Sequence, residues 1–102
     1  MTIEVGGIPF VGPYYSPQEV PSGPGVYLVC DNVNGQVSPI DGGESIDQRE
    51  RITTHDRKSC WGQHVRGHLE FYVYCTGADS ELLRRMVENL VRSSIALPCG
   101  ER

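Results

Sequence analysis

Apolar residues follow two spacings along the chain, and these mark out its elements. The run Leu69-Glu70-Phe71-Tyr72-Val73-Tyr74-Cys75 alternates, which predicts a strand with Leu69, Phe71, Val73 and Cys75 on one face. Beyond it, Leu82, Leu83, Met86, Val87, Leu90 and Val91 recur at helical spacing. The turn Thr76-Gly77-Ala78 separates the two, Asp79 or Ser80 is placed to cap the helix, and Pro98 and Gly100 end it or lie just beyond. Upstream, Val26-Tyr27-Leu28-Val29-Cys30 is a β-rich run, Asn34-Gly35 is a turn signal, and residues 36–40 can return as a second strand. Asp41-Gly42-Gly43 is then expected to break that strand. Ser45-Ile46-Asp47-Gln48 has the form of a capping box, so a helix of about three turns should run to around His55. Residues 56–67 are polar and irregular apart from Trp61.

The first 24 residues are rich in Gly and Pro. Ile3-Glu4-Val5 and Ile8-Pro9-Phe10 flank Gly6-Gly7, a pair suited to a small hairpin, and the prolines at 13, 17, 21 and 24 exclude a helix before Gly25. Residues 1–24 therefore read as a lead-in and residues 25–102 as one domain, in the order strand, strand, helix, strand, helix. A chain of 102 residues is long enough for a single core. It has no apolar stretch near the roughly 20 residues that span a bilayer, and its N-terminus has neither a basic region nor an apolar run, so a cytoplasmic protein is expected.

The charge is -4, which argues against tight nonspecific binding to DNA, since that affinity rests on cations neutralising phosphates. Yet eight of the nine basic residues are Arg, and most fall in two clusters, 49–58 and 84–92, so a local basic face is compatible with the sequence. Cys30, Cys60, Cys75 and Cys99 are widely spaced with no C-x-x-C, and four reduced thiols are expected.

The tripeptide Gly25-Val26-Tyr27 opens a motif set. With Gly43 as the closing glycine of a second tripeptide, Ser45, Arg51 and His55 follow in one ungapped register, and Glu88 with Val91-Arg92 lies on the final helix. In this the chain resembles the GIY-YIG nuclease domains over residues 25–102. The resemblance implies an α/β fold with a central, mostly antiparallel three-stranded sheet flanked by helices. It implies a divalent-metal-dependent DNA endonuclease with Tyr27, Arg51 and His55 as catalytic residues, Glu88 as the metal ligand, Mg²⁺ as the cofactor, and Ser45 as an accessory polar position. The chemistry agrees: phosphodiester hydrolysis needs an activated water, a cation at the phosphate, and usually a divalent ion on carboxylate oxygen. Arg51 and His55 share a helix face, and the planar fork of an Arg suits phosphate oxygens.

The sequence departs from the family at Asp41-Gly42-Gly43, where Asp41 replaces the second motif tyrosine, and at the C-terminus, where Pro98-Cys99-Gly100-Glu101 holds no Asn. Asp41 would either repel a phosphate or serve as a second metal ligand. These departures motivate a low or lost activity, and an alternative function as a non-catalytic module that binds nucleic acid or a protein partner, including a second copy of the chain. Plainer readings stand beside each site residue. Tyr27 can cover a sheet edge, Arg51 can pair with Asp47, and Glu88 can belong to a surface ladder with Arg84 and Arg92. Cys60, His64, His68 and Cys75 have the chemistry of a zinc site, but not its usual spacing. Trp61, Tyr14 and Tyr15 can stack on bases or be buried against the fold.

Overall fold

Two glycine-bearing turns build the sheet. In the computed structural model, which describes residues 1–77 and 80–100, Gly6 and Gly7 take φ of 61° and 80° and join β1 (Thr2–Val5) to β2 (Ile8–Tyr14). Asn34 and Gly35 take φ of 53° and 88° and join β3 (Gly25–Val33) to β4 (Gln36–Ser45), as an Asn-Gly pair dictates. The last strand, β5 (His68–Cys75), inserts between the two hairpins. The order is β1-β2-β5-β3-β4 with every pairing antiparallel. The protein is thus an α/β fold, a curled five-stranded antiparallel sheet with three helices.

The expected three-stranded sheet is only the β5-β3-β4 part of this sheet. The N-terminal ribbon completes it, because Val11 and Tyr14 of β2 pair with Val73 and Phe71 of β5. The lead-in is also less irregular than its prolines suggest: β2 runs to Tyr14, and Pro17–Glu19 forms one 3-10 turn. Nor does Asp41-Gly42-Gly43 break β4. The register against β3 shifts between Val29 and Cys30, whose partners are Asp41 and Pro39. Ile40 is the extra residue of a bulge, which lets both Ile40 and Asp41 face the same core.

Helix α1 (Gln48–Thr53) is shorter than expected and has a different cap. Asp47 accepts from the Glu50 N–H, while the Ser45 hydroxyl is taken by the Asp47 N–H. Gln48 is fully buried with its amide on Cys75, so the Ser45–Gln48 capping box does not form. The segment expected to be irregular contains α2 (Lys58–His64), whose one buried residue, Trp61, gave no periodic signal. Helix α3 (Glu81–Ser94) is capped by Ser80; Ala78, Asp79 and Glu101 lie outside the described residues.

Both sheet faces carry a core. Tyr27, Val29, Phe71 and Val73 pack with Val20, Ile52 and Trp61 on one face, and Val26, Leu28, Cys30 and Tyr72 pack with Phe10, Val87 and Val91 on the other. Leu69 joins the first core, while Cys75, expected on the same face, is exposed at the strand end. Of the apolar residues of α3, only Val87 and Val91 are buried; Leu82, Met86 and Leu90 are exposed. No helix among the described residues is long and apolar enough to cross a membrane.

The four cysteines are not all reduced. Cys60 and Cys99 form a disulfide across 39 residues, with Cα atoms 5.8 Å apart, while Cys30 and Cys75 are free. Spacing could not reveal this pair. It arises because the segment after α3 docks on β4, where the Cys99 N–H donates to Ile40 O over 2.8 Å beside α2.

Candidate functional site

Tyr27 is positioned by the β3–β4 register, which sets it opposite Gly43. A Cβ on Gly43 would lie 2.5 Å from Tyr27 Oη and 2.8 Å from its Cζ, so the missing side chain is what lets the ring lie across β4. At the far end of the ring, His55 Nε2 is 2.8 Å from Oη. His55 follows α1 and is itself oriented by the backbone N–H of Arg57, which donates to Nδ1 over 3.0 Å. With Nδ1 an acceptor, the neutral ring carries its proton on Nε2 and donates it to Tyr27 Oη.

Asp41 anchors the other side of this group. It is fully buried and accepts four hydrogen bonds. Oδ1 takes the Gly42 N–H at 2.7 Å and Arg57 Nη2 at 3.2 Å; Oδ2 takes Arg57 Nε at 3.0 Å and Trp61 Nε1 at 2.7 Å. A carboxylate has about four lone-pair sites, and here all are used. Asp41 therefore has none left for a cation, and its charge is neutralised by the fork of Arg57 rather than turned on a phosphate. Trp61, with its indole N–H on Asp41 and its ring centroid 4.8 Å from that of His55, is part of this interior and is not a platform for bases. Tyr15 is exposed and Tyr14 packs against the first core.

Electrostatics follows from burial. Burial, above all, lowers the His55 pKa to about 4, with the cations Arg51 and Arg57 acting in the same direction against Asp41 and Asp56. The Tyr27 phenol is pushed up, chiefly by burial. Arg51 and Glu88, from different helices, both lie within electrostatic reach of it, Arg51 favouring its ionised form and Glu88 opposing it. The Arg51 side chain is 35% exposed and pairs with Asp56 at 3.3 Å, not with Asp47. The Glu88 side chain is 23% exposed and receives Arg92 Nη2 at 3.3 Å; Arg92 also donates to Gly42 O at 3.2 Å, tying α3 to β4.

Tyr27, Asp41, His55, Arg57 and Trp61 are thus joined by hydrogen bonds in the interior, while Arg51 and Glu88, on helices that pack against different cores, reach Tyr27 only electrostatically. Ser45 is engaged in its own turn with Asp47. Sequence reasoning missed Arg57 as a member of this group. The one available signal was the short interval from His55 through Arg57 to Trp61. The candidate zinc set is not brought together: His68 pairs with Glu70 at 2.9 Å, Cys75 receives Gln48, and Cys60 is bonded to Cys99.

Compared with protein-family models, curated proteins and solved structures, the chain matches none.

For Mg²⁺, the site offers a single carboxylate, Glu88, which is ion-paired with Arg92. Mg²⁺ accepts one or two carboxylate oxygens and fills its remaining positions with water and substrate phosphate. Glu88 offers one partly exposed carboxylate whose only hydrogen bond found among the described residues, from Arg92, is long.

Proposed function

We propose that this chain is a GIY-YIG-like domain that binds the DNA backbone beside Gly42-Gly43 and, with Mg²⁺ held by Glu88, hydrolyses it slowly. The observation that carries this reading is the buried Tyr27–His55 pair beside Gly43, whose phenol is acted on electrostatically by the partly exposed Arg51 and Glu88. The Tyr27–His55 contact, with Arg51 and Glu88 acting on the same phenol, supports reading these residue types as one site for phosphodiester chemistry.

Each residue has a role that follows from its surroundings. Arg51 presents a partly exposed guanidinium to phosphate oxygens, and its exposed pair with Asp56 is readily exchanged for that ligand. Tyr27 stays protonated near neutral pH and is only 1% exposed, so it supports the site from within by holding His55, and contact with the phosphate falls to Arg51. Bound at Glu88, Mg²⁺ would supply Lewis-acid polarisation of a phosphate oxygen and a more acidic water. Arg57 and Asp41 position His55 and the β4 backbone.

Slow turnover follows from the proton inventory. A general base works best with a pKa near 7. His55 lies near 4 and has both ring nitrogens engaged, so it does not accept a proton from Tyr27. The same observation favours the second reading, a non-catalytic module that binds nucleic acid or a protein partner through the same surface.

Nicking of supercoiled plasmid with Mg²⁺ or Mn²⁺ tests the proposal. Weak nicking that disappears in Glu88→Gln is expected, as is DNA binding whose salt slope falls by about 1 in Arg51→Ala. Robust cleavage that survives Glu88→Gln would overturn the metal role. Binding without cleavage, with the Arg51 effect intact, would select the non-catalytic reading, and an unchanged salt slope would remove Arg51 from the interface.

A further inference from the structure

Cys60, His64 and Cys99 form a cluster that the phosphodiester site does not use. Cys60 and His64 are one turn apart on the same face of α2, and Cys99 is brought to them by the segment docked on β4. His64 Nδ1 lies 3.5 Å from Cys60 Sγ and 3.6 Å from Cys99 Sγ. Around a tetrahedral zinc ion, with Zn–S of about 2.3 Å and Zn–N of about 2.0–2.1 Å, a sulfur and a nitrogen ligand atom sit about 3.5–3.6 Å apart. Both sulfur–nitrogen spacings already have that value. Among the described residues, this is the one group of three or more His, Cys, Asp or Glu residues with ligand atoms close enough to share a metal ion.

We propose that the Cys60–Cys99 disulfide is the oxidised state of a three-ligand zinc site, formed by Cys60, His64 and Cys99 when the bond is reduced. A dithiol reductant supplies two electrons and two protons. The sulfur–sulfur bond breaks, two thiols form, and the reductant closes to its own disulfide. Zn²⁺ then displaces both thiol protons to solvent and gains two sulfur bonds and one from His64 Nδ1. In the oxidised chain that nitrogen lies 3.0 Å from Cys60 O, so ligation moves the ring proton to the other nitrogen, which an exposed histidine can do through water. Three protein ligands leave the fourth zinc position for water or an external donor.

The cluster stands apart from the phosphodiester reading and is tested separately. Full-length Cys75→Ser protein, lacking the exposed free thiol, is reduced with dithiothreitol, desalted without oxygen, and titrated with Co²⁺ and then Zn²⁺. One Co²⁺ per chain is expected, with a thiolate charge-transfer band and the intense visible bands of a tetrahedral site, and Zn²⁺ should displace it. His64 is exposed, so His64→Ala leaves the fold intact and should weaken Co²⁺ binding by at least about tenfold, the scale seen even for groups that only support a ligand. The unreduced protein should give no such spectrum. Absence of the spectrum after reduction, or unchanged affinity in His64→Ala, overturns the proposal.

Discussion

Replacing Asp41 with Asn tests whether this carboxylate belongs to the interior or to a cation site. Asn keeps the shape but has one acceptor oxygen and one NH2 group. With the oxygen in the place of Oδ2, the bonds to Trp61 Nε1 and Arg57 Nε survive, and the NH2 is forced against the Gly42 N–H and Arg57 Nη2. With the amide reversed, it is forced against Trp61 and Arg57 Nε instead. Either way two of four hydrogen bonds become donor–donor contacts. A hydrogen bond to a charged group is worth about 1.5–3 kcal/mol, and breaking a buried ion pair costs about 3–5 kcal/mol. The Arg57 side chain is 19% exposed, so water can solvate part of it and the lower end applies, about 3 kcal/mol. At about 4–8 °C per kcal/mol for a domain of this size, Tm should fall by about 12–24 °C in a thermal melt followed by circular dichroism. Asp41→Asn melting within about 4 °C of the parent would refute the interior assignment. A metal-ligand role predicts the opposite pattern, with an unchanged melt and weaker Mg²⁺ binding by calorimetry.

Two further outcomes follow from the same group of residues. Since the folded pKa of His55, about 4, lies below the ordinary 6.5, the unfolded chain binds the proton first, and stability is fully present above about pH 6.5 and lost as pH falls towards 4. Urea denaturation across that window should show a decline of roughly 2–3 kcal/mol that is absent in His55→Gln, and an equal slope in both proteins would discount His55 as the cause. Gly43→Ala should destabilise by about 1–3 kcal/mol through its clash with the Tyr27 ring. In the Tyr27→Phe background, which removes the nearest atom, the penalty should shrink; strict additivity in that double-mutant cycle would show that the two do not touch.

The elements most legible in the sequence were those whose side chains repeat with one period over many residues. β5 and α3 are examples, as is β3 with its Asn-Gly turn. What escaped depends on partners distant in sequence. Helix α2 carries a single buried residue, so its stability comes from Trp61 reaching Asp41 rather than from a hydrophobic stripe. Strand β4 survives two glycines because the bulge at Ile40 and the Tyr27 ring fill the space they leave. The five-stranded sheet could not be read because β2 shows no sign of its pairing with β5. At the site, Tyr27 and His55 were identifiable as residue types, and the structure places them in contact. Asp41 stood out as a substituted motif position, but its solvation by Arg57 and Trp61 was not encoded in any spacing. The disulfide was hidden for the same reason, since its halves meet only after the C-terminal segment has docked.

The central position of β5 imposes a timetable on biosynthesis. The β1–β2 ribbon leaves the ribosome before β5, and its inner edge has no partner until residues 68–75 have been made. At about 5–20 residues per second, that interval lasts several seconds, far longer than a hairpin needs to close. Throughout it Phe10, fully enclosed in the finished protein, is in contact with solvent, beside a strand with open hydrogen-bonding groups. A newly made chain is therefore most prone to stick to its neighbours, and most in need of a chaperone, at residues 2–14, and translation that stalls before β5 would leave that ribbon uncovered for as long as the stall lasts.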